Sequence, residues 1–114
     1  MTAFRLITLP AHGAVEFMLG LVAMVAPFAL HFGPAGAAVS LLVGALLVGL
    51  ALSTTDSGVR LSTHYAFDYA VAFGSLAGAL LLGLSGDRVA MSALGGIAIA
   101  QLALNATTRY SLRT

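Results

Sequence analysis

Four apolar runs of about twenty residues, separated by short polar breaks, most constrain what this chain can become. They cover residues 10–30, 34–53, 61–84 and 89–107. A helix of about 20 apolar residues crosses the hydrocarbon core of a bilayer, and each run reaches that length. Because every connection is short, neighbouring helices must run antiparallel. The sequence therefore predicts an all-α, polytopic membrane four-helix bundle, with the whole chain as one transmembrane domain.

Charge is scarce enough to exclude most soluble folds. The 114 residues include five arginines, four acidic residues and no lysine, whereas about a quarter of the residues of a soluble domain are charged. No cysteine is present, so disulfides and thiolate metal sites are excluded. The net charge of +1 provides no basic surface for nucleic acid. A lipid bilayer is the expected partner.

Two prolines bear on the helix boundaries. Pro34 opens the second run and Pro27 lies about one turn before the end of the first, where it predicts a kink or a helix end.

A cleaved signal peptide is the alternative interpretation of the first run. The apolar region of a signal peptide is normally about 7–15 residues long and uncharged, whereas this run is longer and contains His12 and Glu16.

The arginines predict the orientation of the bundle. One end would hold both termini and the middle connection, and four of the five arginines fall there: Arg5, Arg60, Arg109 and Arg113. Only Arg88 falls at the other end, within the turn that also contains Asp87. Positively charged residues favour the cytoplasmic side of a membrane. Both termini are therefore predicted to be cytoplasmic.

The two halves of the chain repeat each other with an offset of 52 positions. His12 then coincides with His64, and Glu16 with Asp68. Matches of Leu, Gly and Ala carry little weight in so apolar a chain, but these polar matches are informative. They indicate a duplicated two-helix unit, with one copy at about residues 9–57 and the other at about 61–109. Because each copy crosses twice, the two copies would be parallel repeats.

The first half also resembles a known family. The segment Gly-Leu-Val-Ala-Met-Val-Ala-Pro-Phe-Ala-Leu-His-Phe at 20–32, followed by Leu-Val-Gly-Ala-Leu-Leu-Val-Gly at 42–49, is similar to the SPW-repeat membrane proteins of bacteria. Ala26-Pro27-Phe28 stands at the position of the Ser-Pro-Trp that gives the family its name, and the second half lacks this proline. The resemblance implies a four-helix protein of the bacterial inner membrane whose function is unassigned. It implies no substrate and no catalytic residue.

Two pairs of ionisable residues lie inside the predicted spans, where each ionisable side chain is costly to insert. His12 and Glu16 are four residues apart in the first span, as are His64 and Asp68 in the third. This spacing places both members of a pair on one helix face, and the matched positions place both pairs at the same depth. A His₂-carboxylate set suits a divalent metal ion, Zn²⁺ above all. The sequence thus predicts a metal site of these four side chains in the cytoplasmic half.

Other polar residues would reach the same depth and support the ligands, namely Gln101, Asn105, Tyr69 and Ser53. Two further interpretations use the same four ionisable residues. They can serve as hydrogen-bonding contacts that only fix helix packing in a structural or accessory subunit, or as a proton or ion relay. Haem is disfavoured, because the carboxylates and small residues around the histidines leave a porphyrin no wide cleft.

The sequence does not favour an enzyme. It contains no nucleophile elbow, phosphate-binding loop, zincin motif or dinucleotide fingerprint. Gly74 and Gly78 have the Gly-x-x-x-Gly spacing that lets helices approach closely. This spacing predicts packing within the bundle or, alternatively, a homo-oligomer formed through glycine-rich helix faces.

Overall fold

The four predicted spans are four α-helices in the computed structural model, which describes residues 5–54 and 60–110. The helices are α1 (Leu9–Ala29), α2 (Pro34–Ser53), α3 (Leu61–Leu84) and α4 (Arg88–Thr107). Every boundary agrees with the predicted span to within one residue. All four are long and apolar enough to cross a membrane. The predicted all-α four-helix bundle is therefore confirmed. Asp56 and Arg113 lie outside the described residues.

Local capping explains where the helices begin. The Thr8 side chain accepts a hydrogen bond from the backbone N–H of Ala11 at 3.3 Å, ahead of Pro10 in the first turn of α1. Asp87 caps α4 by accepting from the Ala90 N–H at 3.1 Å, as its position in the turn predicts. Pro34 opens α2, where the missing N–H of proline leaves no helical hydrogen bond unmade.

Pro27 lies inside α1, which ends two residues later at Ala29. Proline has no N–H, so it cannot bond to the carbonyl four residues earlier, which belongs to Ala23. The Ser40 hydroxyl on α2 donates to that carbonyl at 2.5 Å instead. The sequence placed the helix end correctly, and the neighbouring helix supplies the hydrogen bond that proline removes.

The helices pack as two antiparallel pairs, because α1 contacts α2 most extensively and α3 contacts α4. Gly20 and Gly44 allow the closest approach in the first pair. A Cβ on Gly44 would lie 2.7 Å from the Gly20 carbonyl oxygen, a distance that real side chains do not adopt. Gly78 faces Val39 on α2, whereas a Cβ on Gly74 would meet nothing within 4 Å. Of the predicted glycine pair, only Gly78 contacts another helix of the bundle.

The bundle has two chemically different ends. At the loop end, the connections after α1 and α3 meet, and Asp87 Oδ2 accepts a hydrogen bond from the Gly33 N–H at 2.8 Å. At the terminal end, the segments before α1 and after α4 pair as a parallel bridge. The N–H of Ile7 donates to the Thr107 carbonyl at 3.0 Å, and the N–H of Arg109 donates to the Ile7 carbonyl at 2.8 Å. The ionisable residues lie near this second end.

The outside of the bundle is as apolar as its core. Large apolar side chains are exposed along all four helices, among them Val25, Phe28, Leu42, Phe73, Leu81 and Ile99. The long axis of the molecule measures 44 Å, close to the full thickness of a bilayer with its headgroups. A surface of this length and composition is suited to lipid rather than to water.

Candidate metal centre

Four ionisable side chains from two helices meet inside the terminal end of the bundle. α1 supplies His12 and Glu16, and α3 supplies His64 and Asp68; none is more than 3% exposed. One candidate ligand atom from each residue lies within 4.8 Å of all the others. The predicted pairing on each helix face is observed, and the two faces are turned toward one another. α1 and α3 stand diagonally in the bundle, so the cluster lies between them in the interior.

Each imidazole faces both carboxylates. His12 Nε2 lies 3.3 Å from Glu16 Oε2 and 3.0 Å from Asp68 Oδ2. His64 Nε2 lies 3.5 Å from Glu16 Oε1 and 3.1 Å from Asp68 Oδ2. Despite these short distances, neither Nε2 atom makes an aligned hydrogen bond, and Glu16 Oε1 and Asp68 Oδ1 also lack a hydrogen-bond partner. The four side chains therefore point toward a shared region between α1 and α3 and are not paired with one another by aligned hydrogen bonds.

A second set of polar groups holds these side chains from outside. The Gln101 amide donates to Glu16 Oε2 at 2.6 Å and to Asn105 Oδ1 at 3.1 Å. The Tyr110 hydroxyl donates to Asp68 Oδ2 at 2.8 Å and lies 3.2 Å from Asn105 Oδ1. Burial, together with the charge of Asp68, raises the pKa of the Tyr110 phenol. Tyr110 therefore keeps its proton and acts as a donor to the carboxylate.

The imidazoles have their own outer partners. His12 Nδ1 lies 2.8 Å from Thr108 Oγ1, and His64 Nδ1 lies 2.8 Å from Ser53 Oγ. Thr108 and Tyr110 belong to the segment after α4 that pairs with Ile7. The pairing of the two terminal segments thus positions two of the side chains that contact the cluster.

Two of the four predicted supporting residues contact the cluster directly, namely Gln101 and Ser53. Asn105 supports it one step farther out, because it accepts hydrogen bonds from Gln101 and Tyr110. Tyr69 lies elsewhere, with its ring near those of Tyr65 and Phe73 at centroid distances of 4.9 and 6.3 Å. The phenol that reaches Asp68 is that of Tyr110, which was not among the predicted supporting residues. A tyrosine just beyond the last span, near two polar residues of that span, was the available signal for it.

The electrostatics of the cluster require a balancing positive charge. Two buried carboxylates are strongly unfavourable unless they are paired. Among the described residues, the ion pairs of Glu16 and Asp68 are made with His12 and His64, while Arg5, Arg60 and Arg109 are exposed. Charge balance can come from protons on the imidazoles or on the carboxyl groups, or from a bound cation.

These features define a class: a four-helix bundle with four membrane-compatible helices and one buried centre of two histidines and two carboxylates. No protein family, curated protein or solved structure matches this chain. Family membership therefore remains a prediction from the sequence, and the function has to be argued from the cluster itself.

Proposed function

We propose that this chain is an integral membrane protein that binds one divalent transition-metal ion through His12, Glu16, His64 and Asp68. Zn²⁺ is the expected ion. Two imidazoles and two carboxylates form the mixed nitrogen and oxygen donor set that Zn²⁺ accepts. Mg²⁺ and Ca²⁺ prefer sites composed only of oxygen ligands, so two histidines disfavour both.

One observation carries this function, namely the spacing of the four N···O pairs. Zn–N and Zn–O bonds are about 2.0–2.1 Å long, so adjacent ligands of a tetrahedral ion lie about 3.3 Å apart. The observed separations are 3.0, 3.1, 3.3 and 3.5 Å. Hydrogen-bonded pairs would also be this close, but they would be aligned, and both Nε2 atoms lack an aligned hydrogen bond. The four N···O contacts are close to that spacing, and one ligand atom from each residue lies within 4.8 Å of the others; this grouping supports shared coordination of a cation.

The surroundings of the ligands support the same function. Metal-binding side chains in proteins are usually oriented by hydrogen bonds at their outer atoms. Here Gln101 contacts Glu16, and Tyr110 contacts Asp68. Haem does not fit between the histidines. Glu16 and Asp68 lie within 3.5 Å of the same Nε2 atoms, in the space that a porphyrin would need.

Metal analysis of the purified protein tests this function. The protein would be extracted in mild detergent without chelator, and its metal content measured per chain. We expect about one Zn²⁺ per chain, or uptake of one equivalent by protein that has been stripped of metal. X-ray absorption of the Zn²⁺ form should show about two imidazole nitrogens and two oxygens. Failure to take up any stoichiometric transition metal would overturn the function.

The competing function is a structural or accessory subunit in which the same pairs only fix helix packing. The hydrogen bonds of Gln101 and Tyr110 to the carboxylates favour it, since they tie α4 and the segment after it to α1 and α3. Removal of one partner from a buried ion pair typically costs about 3–5 kcal/mol. If His12→Ala lowers stability equally with and without Zn²⁺, packing is the role of the cluster.

A proton or ion relay has less support. On the buried face of α3, the polar side chain nearest to Asp68 toward the loop end is Ser75, which is followed by Ala79 and Leu82. The core packed around this part of the bundle consists of apolar residues such as Leu47, Leu94 and Ile97. Ions and protons need a continuous polar path, and the described residues provide polar groups mainly at the terminal end.

The cellular setting is part of the proposal. We infer a multi-pass protein of the bacterial inner membrane, similar to SPW-repeat proteins, with two parallel two-helix repeats and cytoplasmic termini. The exposed arginines at the terminal end, Arg5, Arg60 and Arg109, support this orientation. The packing of α1 with α2 and of α3 with α4 supports the repeat. The open face at Gly74 is compatible with the predicted homo-oligomer.

A further inference from the structure

Both histidines make the same outer contact, and in each case the partner belongs to another helix pair. Thr108 follows α4 and contacts His12 on α1; Ser53 ends α2 and contacts His64 on α3. Each hydroxyl makes a second short contact with a carbonyl in its own helix. Thr108 Oγ1 lies 2.6 Å from the Leu104 carbonyl oxygen, and Ser53 Oγ lies 2.7 Å from the Leu50 carbonyl oxygen.

The hydrogen on each hydroxyl can be assigned from this pair of contacts. A hydroxyl has one hydrogen to donate, and a carbonyl oxygen can only accept. The hydrogens of Thr108 and Ser53 must therefore point at the carbonyls of Leu104 and Leu50. Toward the imidazole, each hydroxyl can then act only as an acceptor, so the hydrogen of that contact belongs to Nδ1 of the histidine.

The assignment at Nδ1 determines the state of the other ring nitrogen. A neutral imidazole has one N–H and one lone pair. With the hydrogen held at Nδ1, the lone pairs of both histidines lie at Nε2. These are the two atoms that face Glu16 and Asp68 and that make no aligned hydrogen bond of their own.

We propose that Ser53 and Thr108 are positioning residues that select the metal-binding tautomer of His64 and His12. This role rests on the metal-binding function proposed above and deepens it, because it identifies Nε2 as the ligand atom of both histidines. Without the hydroxyls, a neutral imidazole can carry its hydrogen on Nε2, where two carboxylates lie 3.0–3.5 Å away. That tautomer has no lone pair for a metal at the centre.

The positions of the two hydroxyls also make the site depend on assembly of the bundle. His12 is oriented by the segment after α4, whose backbone is held by the bridge to Ile7. His64 is oriented by the end of α2. Neither α1 with α2 nor α3 with α4 contains both a histidine and the hydroxyl that orients it. The metal-ready state of both imidazoles therefore exists only when the two pairs are packed together.

Thr108→Val tests this role, because valine keeps the shape of threonine and lacks the hydroxyl. Thr107→Val is the matched control: its hydroxyl bonds to the carbonyls of Ala103 and Leu104 and contacts no histidine. Affinity for Zn²⁺ would be measured in detergent by competition with a chromophoric chelator. We expect a loss of about 10–100-fold for Thr108→Val, no change for Thr107→Val, and recovery with Thr108→Ser.

A spectroscopic measurement separates this role from a purely structural one. Nitrogen-15 NMR of the metal-free, histidine-labelled protein, titrated to alkaline pH until the imidazoles are neutral, should place the hydrogen of His12 at Nδ1, and Thr108→Val should increase the fraction protonated at Nε2. If Thr108→Val does not fold, Ser53→Ala gives the same test at His64. Its control is Ser85→Ala, whose hydroxyl makes the same type of carbonyl bond, at 2.8 Å, to Leu82.

The possible outcomes distinguish the two proposals. Wild-type protein that binds Zn²⁺, with Thr108→Val binding equally well or with the hydrogen of the neutral imidazole on Nε2 in the metal-free wild type, overturns the positioning role and leaves the metal site intact. Wild-type protein that binds no transition metal overturns the proposed function, and the positioning role with it. Weaker Zn²⁺ binding by Thr108→Val, accompanied by the tautomer shift and by rescue with serine, supports both.

Discussion

The two halves of the bundle bury different kinds of side chain. The terminal half, which contains the His and carboxylate cluster, buries ionisable side chains and surrounds them with hydrogen-bonding groups. The loop half, from Gly20 and Gly44 to the two loops, buries alanine, leucine and valine, with Ser40 bonded to the Ala23 carbonyl. The loop half is joined mainly by apolar packing, with the Asp87–Gly33 contact between its loops. Buried ionisable pairs are a costly way to join helices, so the terminal half is where a ligand is sought.

The largest expected effect concerns the ligands themselves. Replacement of both His12 and His64 by alanine should lower the affinity for Zn²⁺ by more than about 100-fold, since even outer contacts of metal ligands contribute 10–100-fold. His31→Ala is the control, because His31 is an exposed loop residue at the opposite end. Chelator competition measures the affinity. Similar affinities for the double variant and wild type would contradict a metal centre in the terminal half.

The next effect should appear in the loop half and should leave metal binding unchanged. Gly44→Ala places a Cβ about 2.7 Å from the Gly20 carbonyl oxygen, and overpacking of this kind lowers stability by about 1–3 kcal/mol. Gly96→Ala is the control, because its Cβ would meet nothing within 4 Å. Unfolding by SDS in mixed micelles measures the difference. A Gly44→Ala protein as stable as Gly96→Ala would show that this close approach does not limit packing.

Gln101→Leu tests whether the outer hydrogen bonds of the terminal half serve the metal ligands. The change removes the donor to Glu16 Oε2, and the expected loss of Zn²⁺ affinity is about 10–100-fold. Zn²⁺ titration of the folded variant in detergent measures this loss. If the stability of the metal-free protein falls and the affinity for Zn²⁺ does not, Gln101 acts in packing alone. The hydrogen bonds of the terminal half would then serve cohesion, as the contacts of the loop half do.

Ser40→Ala examines the buried hydrogen bond that the loop half does contain. Without the Ser40 hydroxyl, the Ala23 carbonyl loses its partner, and the free energy of unfolding should fall by about 1 kcal/mol. Ser92 lies 52 positions later on α4 and is exposed, so Ser92→Ala should change stability little. Both variants can be compared in the same SDS titration. Equal stability of the two would mean that water or lipid satisfies the Ala23 carbonyl.

The smallest effect concerns alkaline pH at the terminal end. Because the folded protein raises the pKa of Tyr110, it holds the phenol proton more tightly than the unfolded chain, whose tyrosines titrate near pH 10. This contribution to stability is present below about pH 10 and is lost as the pH rises toward the folded pKa. Tyr110→Phe should therefore show a shallower loss of stability between about pH 9 and 11. Identical slopes would contradict the buried contact with Asp68.

Much of the fold could be predicted because a chain whose apolar runs are long enough to cross a bilayer has few choices. Runs of apolar residues long enough to cross it must be helical, and the breaks at Gly33-Pro34 and Gly86-Asp87 mark where those helices stop. The first and last residues of all four helices were predicted to within one residue. The joint burial of His12, Glu16, His64 and Asp68 followed from the spacing within each helix, because lipid excludes charge from the outer face.

Other contacts of the site could not be read in this way. Tyr110 and Thr108 lie beyond the last span, where no helical periodicity says which way a side chain points. Their positions depend on the bridge between Ile7 and the segment after α4, a pairing across almost the whole length of the chain. Tyr69 follows Asp68 directly in the sequence, but its ring lies beside those of Tyr65 and Phe73. Adjacent helical residues point about 100° apart, so Tyr69 projects to the side of Asp68, toward the other aromatic rings.

The sequence by itself determined the four-helix architecture, its membrane-compatible composition, the helix limits and the four ionisable residues that turn inward. These follow from hydrophobicity and helical period, which are local properties. Only the tertiary structure decided that the two pairs meet at one centre, with N···O separations of 3.0–3.5 Å, and that hydroxyls from the opposite pair hold the outer nitrogens of both imidazoles. Such distances depend on how whole helices pack, and no local pattern in the chain records them.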